Sequence, residues 1–195
     1  MCTMKKPACE IRQHILDVAR TLMTTKGYTA VGLAELVASA GVPKGSFYYY
    51  FKSKEDFGQA LLEEYFREYL ATIDRLLSAT GTGRDRLLGY FRYWSDTQGT
   101  DLPEGKCLVV KLGPEVCDLS EGMRQVLQTG TVAIIDRIAA AIEAGQGDKS
   151  IVTDMAPRTL AESLYQLWLG ASLLGKLHKT DDAFASAMSM TVRLI

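Results

Sequence analysis

Apolar residues near the start of the chain recur at helical spacing. Ile11, Ile15, Val18, Ala19 and Leu22 fall at i, i+4, i+7, i+8 and i+11, which predicts an amphipathic helix over residues 9–26, closed by Gly27. Leu33, Leu36, Val37 and Ala40 predict a second, shorter helix that ends at Gly41. Gly41 can adopt positive φ and Pro43 presets φ for the first position of the next helix, so a tight helix-turn-helix corner follows. In the stretch GVPKGSFYYYFKSK at 41–54, Phe47 and Tyr50 or Phe51 can face inward, while Lys44, Ser46, Tyr48 and Tyr49 remain outside.

Ser53 has the hydroxyl to cap a longer helix, with Glu55 and Asp56 complementing its positive end. Phe57, Leu61, Leu62, Tyr65, Phe66, Tyr69, Leu70, Ile73 and Leu77 carry that helix towards Ser78, a rod of very roughly 35 Å at the usual rise per residue. ATGTG at 79–83 is a turn, its glycines too close together and wrongly placed to cradle a phosphate. Leu87, Leu88, Phe91 and Trp94 predict another helix, followed by a polar linker at 98–105. The run CLVVKL at 107–112 fits either a strand or a buried helix, and the helical surroundings favour helix. Asp118 and Glu121 have capping-box spacing before a long helix marked by Met123, Val126, Leu127, Ile134, Ile138, Ala141 and Ile142, which ends around Gly145 and Gly147.

From Pro157 the pattern has two apolar faces, one with Leu160, Leu164, Leu167, Trp168 and Ala171, the other with Tyr165, Leu169 and Ser172. A helix apolar nearly all round needs cover on both sides. A last helix with Phe184, Ala187, Met188 and Val192 can supply part of it and a second copy of the chain the rest, which predicts a homodimer built on an intersubunit helix bundle. The expected fold is all-α. A three-helix head over residues 1–54 is joined by a long helix to a helical sensor and dimerisation domain over residues 55–195.

Charge sharpens this division. Residues 1–54 carry eight Lys/Arg against three acids, a net +5, while the remaining 14 basic and 20 acidic residues leave the body at −6. A basic head on an acidic body fits a polyanion-binding module attached to something that need not touch the polyanion. No apolar run is long enough to span a membrane and MCTMKKPACE lacks a signal-peptide core, so a cytoplasmic protein is expected. The four cysteines, Cys2, Cys9, Cys107 and Cys117, form no CxxC pair, and with His14 and His178 alone a zinc cluster is not expected. Neither histidine sits in a nucleophile signature and no glycine-rich cofactor loop is present, so neither an enzyme nor a cofactor is expected.

The run T-x-V-x-L-x-E-L-x-x-x-A-G-V-x-K-G-S-F-Y-x-Y-F-x-S-K-E, from Thr29 to Glu55, resembles the TetR family of bacterial transcriptional repressors. The resemblance implies a three-helix DNA-binding head, a connecting fourth helix, and a body whose last two helices dimerise on a palindromic operator. In the body, GKCLVVKLGPEVCDLSEGMR at 105–124 and LYQLWLGASLLGKL at 164–177 resemble the NemR-type branch, whose members respond to reactive electrophiles through a cysteine. Carried over residue by residue, the sensor position falls on Cys107 and an assisting lysine on Lys176, with Cys117 the second candidate thiol.

The family likeness assigns Ser46 and Tyr49 to base edges and Lys44, Tyr48, Thr29 and Lys54 to phosphates, with Gly45 completing the DNA-facing set. Many family members carry His at the position of Tyr49. Cys107 stands beside Lys106 near a helix start, two features that lower a thiol pKa and raise the thiolate fraction that attacks electrophiles. Other readings stand beside this one. A repressor of the same family can bind a small hydrophobic inducer noncovalently, here in a pocket lined by Phe91, Trp94, Tyr165 and Trp168. A thiol enzyme using Cys107, or a dimer whose basic head docks an acidic protein, are further alternatives.

Overall fold

The computed structural model describes residues 8–98 and 107–195, which form nine helices and no strand among the described residues. The head contains α1 (Ala8–Lys26), α2 (Leu33–Ser39) and α3 (Lys44–Tyr50). The connecting helix is α4 (Lys54–Leu77), and the body adds α5 (Gly83–Gln98), α6 (Leu108–Val116), α7 (Glu121–Gly147), α8 (Pro157–His178) and α9 (Asp182–Leu194). Most of the polar linker expected at 98–105 lies outside the described residues. None of the described helices is long and apolar enough to cross a membrane.

The head turns where its glycines allow. Gly41 sits at φ +62, and the Val42 N–H reaches back to the Val37 carbonyl at 3.0 Å, closing α2 in a left-handed cap. His14 of α1 lies 3.0 Å from the Ala40 carbonyl and ties α1 to the same corner. Behind the corner, Phe47, Phe51 and Phe57 form a triangle of rings with centroids 5.1–5.5 Å apart, all buried. Phe57 belongs to α4, so the first turn of the connecting helix is part of the core of the head. Ser53 caps α4 as expected, its hydroxyl accepting from the Asp56 N–H at 3.0 Å.

Helix α7 is the spine of the body and packs against α4, α5, α6 and α8. Glycines let it come close. A Cβ on Gly130 would stand 2.3 Å from the Phe66 ring of α4, and one on Gly83 of α5 would stand 2.4 Å from the Cα of Gly145. One expectation holds here and one changes. The ambiguous run at 107–112 belongs to a helix, since Leu108, Leu112 and Val116 are buried at i, i+4 and i+8. The cap of α7 is Ser120, accepting from the Met123 N–H at 3.2 Å, rather than Asp118.

On α8 the two expected apolar faces converge into one broad buried surface, because Leu160, Leu164, Trp168 and Ala171 are covered together with Tyr165 and Ser172 by the same chain. On these last two helices the large apolar side chains left uncovered are Leu173, Leu174 and Leu177 further along α8, and Met190 and Val192 on α9.

Candidate functional site

The outer surface of α3 is open. Tyr48 is 50% and Tyr49 77% exposed, Lys44 and Gly45 are exposed and Ser46 is half-buried. The Lys44 ammonium lies over the Tyr48 ring at 5.9 Å, which holds a cation and a hydroxyl on one side of the helix. Nothing stands within 4 Å of where a Cβ on Gly45 would be.

Thr29 and Lys54, expected on phosphates, have donors engaged inside the protein. The Thr29 N–H donates to Glu115 Oε1 at 2.6 Å and its hydroxyl binds the same oxygen, while the Tyr28 N–H donates to Glu115 Oε2 at 2.8 Å. Lys54 donates to the Tyr28 carbonyl at 2.9 Å and lies 4.5 Å from the centre of the Tyr28 ring, and the Tyr28 hydroxyl returns a bond of 2.9 Å to the Lys54 carbonyl. Burial pushes the Tyr28 phenol up to about 12, with the charges of Glu55 and Glu115 adding to it.

These bonds form a clamp between body and head that the sequence pattern did not reveal. Glu115 stands in the last turn of α6 and grips the segment just after α1, where Gly27 turns at φ +96. One turn earlier, Lys111 donates to the Thr25 carbonyl at 3.0 Å, a cation on the negative end of α1. Ser120, at the start of α7, donates to Glu55 at the start of α4. Partial burial raises the Glu115 carboxyl, but the bonds from Thr29 and Tyr28 and the charge of Lys111 outweigh it and hold the group below its ordinary value.

At the other end of α6, Cys107 is the residue before the first turn. Its N–H donates to the Gln98 side chain at 3.1 Å, and the Tyr65 hydroxyl of α4 lies 3.7 Å from its Sγ. The thiol is 7% exposed, and burial pushes its pKa above the ordinary value. The helix start acts as expected, since the N–H groups of Val110 and Val109 and the Tyr65 hydroxyl all favour the thiolate, but desolvation outweighs them. The expected lowering is therefore reversed. Lys106 lies outside the described residues. Lys176 is exposed near the end of α8, and the side chain found on the sulfur is Tyr65. Cys117, at the end of α6 and two residues beyond Glu115, is exposed, as is Cys9.

The four rings expected to line an inducer pocket are brought together, but they pack on one another. Trp168 stacks on Phe91 with centroids 4.8 Å apart and lies 5.9 Å from Trp94, which meets Tyr165 edge-on at 5.7 Å. Both indoles are satisfied internally, Trp94 donating to Ser172 at 2.9 Å and Trp168 to Thr191 at 3.0 Å.

The sequence aligns with known proteins over nearly its whole length. Residues 15–61 match the model of bacterial regulatory proteins of the tetR family, and residues 83–191 match the tetracyclin repressor-like C-terminal domain. The HTH-type transcriptional repressor NemR of Escherichia coli K12 is 37% identical over 187 residues, 95% of this chain and 94% of that protein. The HTH-type transcriptional repressor DhaR of Mycobacterium sp. strain GP1 is 33% identical over 88% of this chain and 85% of its own. The crystal structure of reduced E. coli NemR superposes with a TM-score of 0.91 at 37% identity, covering 95% of this chain and 97% of that one. Head, connecting helix and body all match, and the chain belongs to the TetR family of bacterial transcriptional regulators.

Proposed function

We propose that this regulator is a cytoplasmic homodimeric repressor, released from a palindromic operator when an electrophile or oxidant reacts at Cys107. The observation that carries the reading is the position of α6. Its first end holds a buried thiol against the connecting helix, and its last turn holds the clamp on the head, about 12 Å further along the axis.

Magnitudes support such a lever. Cys107 and Tyr65 are 7% and 3% exposed, so a group added to the sulfur must displace α6 or α4. Overpacking a core by a few heavy atoms costs roughly 1–3 kcal/mol, the same size as the roughly 1–3 kcal/mol that couples two allosteric sites. Modification lowers affinity only if the modified state binds DNA less well than the free one. Displacing α6 meets that condition by moving the Glu115 grip and with it the relative setting of the two heads. Relatives named as transcriptional repressors make repression the fitting outcome.

In this reading the two recognition helices lie about one DNA turn apart. Ser46 and Tyr49 face base edges, and Lys44, Tyr48 and the Gly45 backbone face the phosphates. The uncovered Leu173, Leu174 and Leu177, with Met190 and Val192, supply apolar surface for the second protomer. Gly45→Ala separates DNA contact from folding. The open space and ordinary helical backbone there mean that alanine should raise stability by a few tenths to about 1 kcal/mol. The added methyl should weaken operator binding severalfold, read by thermal melting and by fluorescence anisotropy of labelled operator.

Cys107→Ser tests the sensor. The variant should bind operator like the unaltered protein and keep it when N-ethylmaleimide is added, whereas the unaltered protein should let go. Release that is equally fast from both proteins overturns the assignment.

A further inference from the structure

Aromatic hydroxyls gather around Cys107. Tyr65 donates to the sulfur and stacks on Tyr69, with ring planes 8° apart and centroids at 5.6 Å. The hydroxyls of Tyr69 and Tyr90 bond each other at 3.2 Å, and Tyr90 meets Trp94, which meets Tyr165. Three of these four hydroxyls are therefore satisfied. The fourth, on Tyr165, is buried and finds no hydrogen-bond partner, although the residue is only 3% exposed. Buried hydroxyls without a partner are rare, and each calls for an explanation.

We propose that the tyrosine group around Cys107 is a carbonyl-binding site, in which the unpartnered Tyr165 hydroxyl donates to the carbonyl oxygen of an electrophile while the Cys107 sulfur attacks. This rests on Cys107 being the reacting thiol. The ligand class is an aldehyde, ketone or imide whose reactive carbon is the carbonyl itself or is conjugated to it. In such molecules the electron pair displaced by sulfur moves onto an oxygen that needs a donor at that moment.

The step balances without another reactant. A bond forms from Sγ to the electrophilic carbon and the C=O π pair moves to the carbonyl oxygen, the C=C π pair of a conjugated ligand taking its place as the double bond of the enol. The Tyr165 hydroxyl gives its proton to that oxygen as the charge develops, and the thiol proton restores the hydroxyl. Nothing is oxidised and no group leaves. The arrangement also suits a thiol that burial keeps protonated, because giving up the proton during the attack removes the need for a standing thiolate. Burial, followed by the nearby thiol and Tyr69, pushes the Tyr165 phenol up, so it remains a donor throughout the neutral range.

The test compares unaltered protein with Tyr165→Phe, reading the rate of Cys107 modification by peptide-mapped mass spectrometry. Acrolein is the carbonyl probe, and iodomethane, a carbon electrophile with no oxygen, is the control. Removing an unpartnered hydroxyl should leave the melting temperature unchanged or higher. It should slow the acrolein reaction roughly tenfold to a hundredfold, the scale of one lost oxyanion donor, and leave the iodomethane rate as it was. Equal acrolein rates in the two proteins overturn the carbonyl site, as does equal slowing with both reagents, and either result leaves the thiol reading intact. Absence of an acrolein adduct on Cys107 in the unaltered protein overturns the carbonyl site, and absence of a Cys107 adduct from either reagent overturns the thiol reading as well.

Discussion

Glu115→Gln is expected to leave the protein folded and able to bind operator but largely deaf to reaction at Cys107. In the native clamp, Oε1 accepts from both the N–H and the hydroxyl of Thr29, and Oε2 accepts from the Tyr28 N–H. Glutamine offers one accepting oxygen and one amide nitrogen that can only donate, so one of these backbone groups must face another donor. The loss of one such bond, together with the charge, is worth about 1–2 kcal/mol, a factor of roughly 5–30 in the balance between clamped and unclamped heads. Coupling of typical size is about 5–150-fold, so most or all of the response should vanish. The measurement is the ratio of operator dissociation constants for Cys107-alkylated and free protein, which should fall towards one in the variant. An unchanged ratio would mean that the signal leaves α6 by another route. Acidification is no substitute within the neutral range. The depressed Glu115 pKa means that the clamp's contribution is fully present above the ordinary value of 4.5 and is lost only as pH falls through the folded value.

Trp168→Ala should unfold the body long before it alters any preference for an inducer. Trp168 is fully buried, stacks on Phe91, touches Trp94 and Phe184, and donates to Thr191 of α9. Truncating a buried tryptophan costs about 3–5 kcal/mol, a large share of the roughly 5–15 kcal/mol that holds a domain folded. At about 2–4 °C per kcal/mol for a chain of this size, the melting temperature should fall by roughly 6–20 °C. Because the ring joins α8 to α9, gel filtration at micromolar concentration should also show a weakened dimer. If the four rings lined an empty inducer pocket, the same truncation would leave stability nearly unchanged and instead enlarge the range of inducers.

What could be read from the chain was local. Helix α4 was legible from end to end because Ser53, the acids after it and a long apolar stripe all agree, and Gly41 marked the corner before α3 because only a left-handed turn fits there. Local rules failed where two candidates stood close together. Asp118 and Glu121 have the right spacing for a cap, yet Ser120 takes the role and also binds Glu55 of α4, a contact 65 residues distant in sequence. The site itself is made of such distant contacts. Tyr65 reaches Cys107 across 42 residues and Glu115 reaches Tyr28 across 87. The helix start before Cys107 was visible in the sequence, but the burial that outweighs it comes from tertiary packing, in which Tyr65 of α4 takes part, and could not be. Tyr65 and Tyr69, four residues apart, read only as an apolar stripe because spacing does not say which hydroxyls meet a sulfur. Glu115 carried no signal beyond being the one acid in an otherwise apolar run, LGPEV, which is the feature that could have singled it out.

The most direct measurement is the operator affinity of the dimer before and after alkylation of Cys107 alone, in a protein with Cys2, Cys9 and Cys117 replaced by serine so that one thiol reports. A weakening of about tenfold or more on stoichiometric modification, verified by mass, is the predicted result. An affinity that stays the same with every Cys107 alkylated would contradict the account.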